Sequence, residues 1–279
     1  MTQFIPLNQY QIIEAQGIDA QTYLQGQLTS DVVALASGAS TLTAHCDPKG
    51  KMNAIFRVCK LSSTQFLLLV KKALLPSALE ALKKYAVFSK VSFELRDWQI
   101  VGLIGEKCGK IQPHFSIEID EQRSILINET SLPITFNAEE ALWEAVDIQA
   151  GLPNLTTKTQ NEFIPQAFNL QAIEQAISFT KGCYLGQEIV ARAKYRGANK
   201  RAMFILKGET ASTPEVGECI EMQIEGHWRK TGTIIRAVNI EGILWLQVVM
   251  NNDVEIDQSF RLLEEASLLT LQPLPYIVE

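Results

Sequence analysis

The feature that most constrains the fold is a change of sequence pattern near residue 201. Before it, apolar residues recur both at the alternating positions of strands and at the spacing of helices. After it, short apolar runs at 203–207, 231–238 and 243–249 are separated by Gly, Asn or Pro, and helical spacing is nearly absent. The pattern therefore predicts an α+β part followed by a small all-β barrel or sandwich.

The first part of the chain is predicted to contain strands joined by a few helices. Apolar spacing predicts a helix over 75–86, a second helix after Asp19 as its N-cap, and a third over 138–149, before Gly151. Strands are predicted at 10–14, 41–46, 52–58, 65–71, 91–95, 98–104 and 124–127. Successive strands with few helices between them favour an antiparallel sheet.

Composition sets the size and the class of the protein. The chain has 279 residues, which corresponds to about two domains or three small ones, and 47% of the residues are hydrophobic. A core can therefore be buried, and global disorder is excluded. The formal net charge of −6 excludes a bulk nucleic-acid coat, although a local basic patch for RNA stays open.

The cysteines do not form a recognisable framework. They are Cys46, Cys59, Cys108, Cys183 and Cys219. Their number is odd and no CxxC occurs, so neither a disulfide scaffold nor a zinc ribbon is predicted, and reduced thiols in the cytoplasm fit best. The N-terminus lacks a signal-peptide pattern, and no apolar stretch approaches the ~20 residues of a membrane span, so secretion and membrane insertion are not expected.

The octapeptide KGCYLGQE at 181–188 has an unusual composition, with two glycines, a thiol and a lysine. A helix starting near Leu185 would place Cys183 just before a helix N-terminus and close to Lys181, so we expect a lowered thiol pKa. The same helix would pair Glu188 with Arg192 on its surface. The alternative is that Cys183 is a small buried residue in a glycine-rich turn.

A short basic segment follows this motif, which we call the basic strip. It consists of Arg192, Lys194, Arg196, Lys200 and Arg201. No acidic residue lies between the first and the last of these, whereas the rest of the chain has 20 basic residues against 31 acidic ones. The strip is interpreted either as a solvated helix face and loop, or as a binding site for the phosphates of RNA or a polyglutamyl tail.

Several sequence blocks, taken together, resemble one family. The octapeptide resembles the signature of YgfZ-type folate-binding proteins, which are relatives of the aminomethyltransferase (T-protein) of the glycine cleavage system. Further similar blocks occur in the same order at 25–32, 45–52, 84–91, 248–253 and 274–276. The chain is identified as a member of this family on these blocks, and it is most similar to the bacterial tRNA-modifying subgroup.

The resemblance implies a three-lobed aminomethyltransferase-like fold of the α+β class around a central folate-binding hole. It implies a central lobe at 1–50 with 137–197, a ferredoxin-like α+β lobe at 51–136, and a C-terminal β-barrel at 198–279. The length then corresponds to three small lobes rather than two ordinary domains.

The resemblance also implies the residues that contact tetrahydrofolate or a derivative. Tyr10 and Trp143 stand at two aromatic positions that the bacterial subgroup associates with folate, and flat aromatics suit a pterin ring. Both could instead be ordinary core residues. Gln149 stands where aminomethyltransferases use a glutamate, and since an amide offers one acceptor and one donor group, weaker or altered folate binding is expected.

The resemblance does not extend to the aminomethyltransferase acid–base chemistry. Aminomethyltransferases carry an aspartate in the strand at 52–56, where this chain has no carboxylate, so glycine-cleavage activity is not expected and enzymatic activity is left open. His45 and Asp47 are expected to face the same side of a strand, but two candidate ligands in a turn do not predict a metal site.

Three functions follow from these observations, in order of preference. The first is an accessory protein that binds tetrahydrofolate and supports the assembly or maintenance of iron–sulfur proteins, including those that thiolate tRNA. Cys183 would be its reactive group, with Lys181 beside it. The second is a direct tRNA-binding modification factor that uses the basic strip. The third is a folate-dependent one-carbon (aminomethyl) transferase on an unknown substrate.

Overall fold

The computed structural model describes residues 2–106, 111–197, 199–255 and 257–278. Cys108, one of the five cysteines, lies outside these residues. In chain order the strands are β1 (Gln3–Pro6), β2 (Tyr10–Gln16), β3 (Ser40–Cys46), β4 (Met52–Lys60), β5 (Gln65–Lys71), β6 (Ser92–Arg96), β7 (Gln99–Ile104), β8 (Phe115–Glu118), β9 (Arg123–Asn128), β10 (Arg201–Glu209), β11 (Ile220–Ile224), β12 (His227–Thr231), β13 (Thr233–Ile240), β14 (Ile243–Asn251), β15 (Phe260–Leu262) and β16 (Leu268–Gln272). The α-helices are α1 (Ala20–Gln27), α2 (Leu75–Lys84), α3 (Glu140–Gln149) and α4 (Gln187–Tyr195).

A five-stranded antiparallel sheet with the order β3-β4-β5-β2-β6 forms the middle layer. Its strand β5 has a continuous apolar run because both faces of the sheet are covered. Phe66, Leu68 and Val70 pack on the side of α1 and α2, whereas Leu67 and Leu69 point to the opposite side. This alternation fixes which side chains of the strand can reach each layer.

A four-stranded antiparallel sheet with the order β1-β7-β9-β8 covers the second face of the middle layer, together with α3. The core between the two sheets joins Leu67 and Leu69 with Ile5, Ile125 and other apolar residues. Trp143 of α3 belongs to the same core. The N-terminal part of the chain therefore consists of stacked layers, with a sheet-to-sheet interface in its interior.

The C-terminal part is a seven-stranded antiparallel sheet with the order β12-β11-β15-β16-β10-β14-β13. Its two edge strands are consecutive in the chain and are separated by Gly232 alone. The sheet must therefore curl, and Ile234 of β13 exchanges backbone hydrogen bonds with Gly217 and Glu218, which lie just before β11. Leu206, Leu246 and other apolar side chains fill the interior of the resulting barrel. The predicted change from α+β to all-β structure near residue 201 is confirmed.

Several predicted elements differ from the structure in detail. Asp19 does precede α1, but its carboxylate accepts a hydrogen bond from the backbone N–H of Lys90 at 2.7 Å and does not cap the helix. Helix α4 begins at Gln187, two residues later than expected. Strands β1 and β8 were not predicted, because each has only four residues. These short segments carry too few alternating positions for a period to emerge.

The division of the chain into three lobes stays a prediction. The strands on either side of residue 50, β3 and β4, pair with each other in the five-stranded sheet. One sheet therefore draws on both of the first two predicted ranges. All strands of the barrel lie within 198–279.

Candidate functional site

A narrow cavity lies between the five-stranded sheet, the four-stranded sheet and α3. Its volume is about 50 Å³, which is room for a few water molecules. Tyr10 and Trp143, which are far apart in sequence, both line it. The other lining residues are Leu42, Ile55, Phe56, Arg57, Leu69, Lys71, Ile119, Ile125, Asp147, Leu152, Pro153 and Asn154. The cavity therefore combines aromatic, cationic and carboxylate side chains in one slot.

Tyr10 is positioned by the first residue pair of the β2–β5 ladder. Lys71 lies directly opposite on the neighbouring strand, and its ammonium is 4.3 Å from the centre of the Tyr10 ring. Burial raises the pKa of Tyr10 well above its ordinary value, and the carboxylates of Asp147 and Glu144 raise this pKa further. The Tyr10 side chain is therefore a neutral phenol under a cation.

Trp143 is positioned by a glycine on the neighbouring sheet. Its side chain is only 1% exposed, and a Cβ at Gly102 of β7 would lie 2.5 Å from its Cε3 atom. The indole therefore occupies space that any other residue at position 102 would fill. The guanidinium of Arg123 lies 5.5 Å from the Trp143 ring on the β9 side. Two neighbouring strands, β7 and β9, thus contact this ring.

Buried ion pairs surround the two aromatic side chains. Glu144 of α3 binds Lys71 at 2.5 Å and Arg236 of the barrel at 2.5 Å. Asp147, one helical turn later, binds Arg123 at 2.8 Å and Arg236 at 3.2 Å. These contacts leave each buried charge with a partner of opposite sign, which burial at this depth requires.

The ion pairs shift the pKa values of their members in opposing directions. Burial by itself raises the pKa of Glu144, but Arg236 and Lys71 outweigh it and hold this pKa at about 2. Burial lowers the pKa of Lys71 to about 8, although Glu144 opposes this shift. Glu144 is therefore a fixed anion near neutral pH, whereas the Lys71 ammonium titrates close to neutrality.

Gln149 does not line the cavity. It is the last residue of α3 and its side chain is exposed, whereas Asp147 points into the cavity from the same helix. Two positions along a helix correspond to a rotation of more than half a turn, so the two side chains cannot share a face. The structure thus supplies a carboxylate at Asp147, where the sequence comparison indicated an amide at Gln149.

Asp147, Lys71 and Arg57 were missed as cavity residues by sequence reasoning. Lys71 had no distinguishing signal, because its place beside Tyr10 depends on the register of β2 and β5. Arg57 alternates with apolar residues in β4 and pairs with Glu174 at 2.8 Å. Asp147 carried a usable signal, since it is an acidic residue on the helical face of Trp143, four positions away.

The cysteine motif lies outside the lining of this cavity. Cys183 is exposed and stands four residues before the first residue of α4, so it does not occupy the helix terminus that the sequence predicted. Lys181 is buried, and its ammonium donates to three backbone carbonyls, those of Gln25, Leu28 and Ser30, at 2.6, 2.5 and 2.7 Å. All three N–H groups of the ammonium are thereby used.

Lys181 therefore fastens the cysteine motif to the end of α1. Burial lowers its pKa to about 8, against the opposing effect of Asp31. In the structure the Lys181 ammonium is bonded to the carbonyls of α1 and of the loop after it. The predicted cooperation of Lys181 with the Cys183 thiol stays a prediction.

Three of the sequence blocks that resemble the family are in contact around Gly186 and Gly26. A Cβ at Gly186 would lie 2.7 Å from the carbonyl oxygen of Asp47 and 3.0 Å from the Cα of Gly50. The backbone N–H of Leu185 donates to the carbonyl of Gly26 at 3.0 Å. The motif at 181–188, the turn at 47–50 and α1 are thus in direct contact. Cys183 is exposed next to this packed region.

All five side chains of the basic strip are exposed. The predicted pair of Glu188 and Arg192 is confirmed at 2.7 Å. Lys194, Lys200 and Arg201 line an open groove of about 720 Å³ together with Phe179. The ammonium of Lys194 lies 4.1 Å from the Phe179 ring. Cations and an aromatic ring therefore share this groove.

Two findings concern metals and membranes. Within residues 2–106, 111–197, 199–255 and 257–278, no three His, Cys, Asp or Glu side chains cluster in a way that could bind a metal ion. Over the same ranges, every helix is too short or too polar to cross a bilayer.

Comparison with known proteins identifies relatives over the full length of the chain. Residues 199–265 match the model of the YgfZ β-barrel domain. Two proteins named tRNA-modifying protein YgfZ, from Enterobacter sp. (strain 638) and Photorhabdus laumondii, are 39% and 38% identical to the chain. The alignments cover 99% and 98% of this chain and 93% and 92% of the two relatives. An uncharacterized protein of Haemophilus influenzae is 73% identical over 100% of this chain and 99% of its own length.

The fold also resembles a solved structure. The glycine cleavage system aminomethyltransferase T from Bartonella henselae matches with a TM-score of 0.71 over 99% of this chain and 86% of that protein. The sequence identity is 12%, so this likeness concerns the fold. The predicted aminomethyltransferase-like fold with a C-terminal β-barrel is confirmed.

Proposed function

The chain belongs to the YgfZ family of tRNA-modifying proteins, and from this premise we propose that it is a folate-binding accessory protein. It binds tetrahydrofolate or a derivative in the cavity between Tyr10 and Trp143. With this ligand it supports the iron–sulfur enzymes that thiolate tRNA. It acts in the cytoplasm, where the four cysteines that the structure describes stay reduced, in agreement with their free thiols.

The observation that carries folate binding is the meeting of Tyr10 and Trp143 in one narrow, charged cavity. A flat ring fits a narrow slot, and aromatic side chains can contact its faces. Each carboxylate oxygen of Asp147 accepts one hydrogen bond from an arginine. Since a carboxylate can accept about four hydrogen bonds, Asp147 can also accept hydrogen bonds from the N–H groups at the edge of a pterin. The lining groups therefore match a pterin chemically, and the cavity, at about 50 Å³, has to widen to admit the ring.

Bound tetrahydrofolate would supply a carrier for a one-carbon unit. The protein residues would orient it: Lys71 and Arg57 give the cavity positive charge, and Trp143 excludes water from one side. Asp147 is the one carboxylate among the described residues that line this cavity, and both of its oxygens are ion-paired with arginines. The one-carbon transferase hypothesis therefore lacks a free carboxylate as general base among the described lining residues.

Calorimetric titration of the purified protein with tetrahydrofolate tests this proposal. Trp143→Phe keeps an aromatic ring but leaves part of the indole volume empty, so we expect affinity to fall about tenfold. Trp245→Phe, on β14 of the barrel, is the matched control and should bind like the wild type. Absence of binding to the wild-type protein, or equal affinity of Trp143→Phe and wild type, contradicts the proposal.

Cys183 is proposed as the group that acts on the iron–sulfur client or on its oxidised product. Its support is the exposure of its side chain in a segment that is anchored by the buried side chains of Lys181 and Tyr184. Complementation of a null strain, read out as the level of thiolated tRNA, tests this role. Cys183→Ala should fail to complement, whereas Cys219→Ala on the barrel should complement fully. Full complementation by Cys183→Ala removes the thiol from the mechanism.

Direct tRNA binding by the basic strip is the second candidate, and one observation favours it. Gln166 lines the groove beside the strip and is only 4% exposed, yet its Oε1 atom has no hydrogen-bond partner among the described residues. A hydroxyl or amino group of RNA would supply the missing donor. Neutralising Lys194, Lys200 and Arg201 together should weaken tRNA binding and reduce its salt dependence. Binding that does not change with salt rejects this candidate.

A further inference from the structure

A second cavity, separate from the one between Tyr10 and Trp143, lies between the end of α2 and the turn at 47–50. Its volume is about 440 Å³, within the usual range for small-ligand sites. Leu185 of the cysteine motif contributes to its wall. We name it the His45 cavity after one of its lining residues.

His45 is an unusual residue for a protein interior. It lines this cavity, is only 2% exposed, and neither of its ring nitrogens has a hydrogen-bond partner in the part of the chain that the structure describes. Burial lowers its pKa to about 4, against a small opposing effect of Asp47, so the ring is neutral near pH 7. A neutral imidazole offers one N–H donor and one acceptor nitrogen.

Asn53 adds a second unmatched polar group to the same cavity. Its Oδ1 atom is buried and lacks a partner among the described residues. Buried polar atoms in native proteins are nearly always bonded, so exceptions point to a bound group. Two residues of the lining therefore carry two buried acceptors and one buried donor that no atom of the described residues satisfies. A ligand that matches them carries donors and an acceptor close together.

The charge of the His45 cavity restricts the ligand further. Asp47 and Glu80 also line it, and they disfavour an anion in its interior. Lys84 and Tyr85 line it as well and are exposed, and the Lys84 ammonium lies 5.4 Å from the centre of the Tyr85 ring. The interior thus suits a neutral polar ring, whereas Lys84 and Tyr85 suit an attached phosphate and a neighbouring flat group.

The loop that continues from Tyr85 exposes apolar side chains to an unusual degree. Phe88 is 97% exposed and Val87 is 77% exposed, and the loop is flanked by the exposed lysines 83, 84 and 90. Exposed aromatics interleaved with cations are typical of surfaces on which single-stranded nucleic acid bases stack. The loop and the His45 cavity meet at Tyr85.

We propose that the His45 cavity receives one unpaired nucleobase of an RNA strand, while Phe88 stacks on an adjacent base and Lys84 contacts the phosphate. A nucleobase edge presents N–H donors next to ring and carbonyl acceptors, which matches His45 and Asn53. An unpaired base is required because a base inside a duplex has its edge occupied. The proposal rests on the role in tRNA modification and assigns to it an RNA-contacting surface that shares no residue with the groove of the basic strip.

Binding of a synthetic RNA stem–loop, compared with a fully paired duplex of the same length, tests this assignment by fluorescence anisotropy. His45→Leu and Phe88→Ser should each weaken stem–loop binding about tenfold, because one stacked base contributes on the order of 1–3 kcal/mol. Leu268→Ser, which changes an exposed apolar residue of the barrel, is the matched control and should bind like the wild type. Duplex binding should be weak in all four proteins.

A second measurement uses the wild-type protein and does not depend on how the variants fold. The stem–loop should shift the NMR signal of the His45 ring, and a mixture of free mononucleotides should not. A His45 shift with mononucleotides but not with the stem–loop overturns the RNA assignment in favour of a free nucleotide. Wild-type affinity of both His45→Leu and Phe88→Ser, or equal binding of duplex and stem–loop, also overturns it.

The same proteins separate this inference from the proposed folate site. His45→Leu should keep the tetrahydrofolate affinity of the wild type, because His45 does not line the cavity of Tyr10 and Trp143. Trp143→Phe should keep stem–loop binding. If His45→Leu keeps stem–loop binding, the His45 cavity is wrongly assigned, and if Trp143→Phe keeps the tetrahydrofolate affinity of the wild type, the folate cavity is.

Discussion

Arg236 on strand β13 donates a hydrogen bond from Nε to Oε2 of Glu144 on helix α3, at 2.5 Å. The same guanidinium reaches Asp147 at 3.2 Å and the backbone carbonyl of Leu152 at 3.2 Å. One buried arginine of the barrel therefore holds the helix that carries Trp143. The C-terminal barrel takes part in shaping the candidate folate cavity, although the described barrel residues, 201–255 and 257–272, contribute no side chain to its lining.

Replacing Arg236 tests this dependence. Arg236→Met leaves Glu144 and Asp147 buried with one cation fewer, so we expect the free energy of unfolding to fall by about 3–5 kcal/mol. Urea denaturation measures this change, and tetrahydrofolate affinity should fall with it. Lys158→Ala removes an exposed ion pair with Glu215 and should change stability little. Equal stability of Arg236→Met and Lys158→Ala would show that the buried contact is unimportant.

His45 should make stability sensitive to mild acid. Its pKa is about 4 in the folded protein, mainly because of burial, and about 6.5 in an unfolded chain. The unfolded state therefore binds more protons between these values, so the free energy of unfolding decreases as the pH falls from 6.5 to 4. The full interval corresponds to about 3 kcal/mol.

Urea denaturation at a series of pH values between 6.5 and 5 measures this slope above the range where most carboxylates titrate. His45→Gln should remove most of the slope. His114→Gln changes a partly exposed histidine and should keep the wild-type slope. An unchanged slope in His45→Gln would contradict the assignment of the acid sensitivity to His45.

Alanine substitutions at two glycines of the cysteine motif should change the stability of the protein to different extents. Gly186 has a φ of +83°, and its Cβ would approach the Asp47 carbonyl oxygen to 2.7 Å. Gly186→Ala should cost about 1–2 kcal/mol for the backbone conformation alone, and the close contact adds to this cost. Gly182→Ala, four residues earlier, would meet no atom within 4 Å and should be nearly neutral. Thermal unfolding of both variants decides this comparison, and equal melting temperatures would refute it.

Within this motif, Lys181 should have a structural role and Cys183 a chemical one. Lys181→Met leaves the carbonyls of Gln25, Leu28 and Ser30 without their donor, so we expect a loss of about 2–4 kcal/mol in unfolding free energy. Cys183→Ala changes an exposed side chain and should keep wild-type stability. Its defect should instead appear in tRNA thiolation. A stable Lys181→Met protein that fails to complement would return Lys181 to a chemical role.

Much of the local structure could be predicted from the sequence, because it depends on local periodicity. Strand β5 and helix α2 lie close to the predicted ranges, since their apolar spacing extends over most of their length. The start of α4 was misplaced by two residues, because Gly186 in the left-handed conformation keeps the chain out of the helix there. The family resemblance predicted Tyr10 and Trp143 as folate contacts. The structure places both in the lining of one cavity, and folate contact stays a prediction.

The sequence by itself determined the order of the elements, the change from α+β to all-β structure, and the blocks that resemble the family. Only the tertiary structure decided that Lys71 lies beside Tyr10, that Arg236 binds Glu144, and that Asp147 rather than Gln149 faces the cavity. The period of a strand or helix determines which residues share a face. It does not determine which distant element covers that face, because pairing and packing across the chain depend on the whole fold.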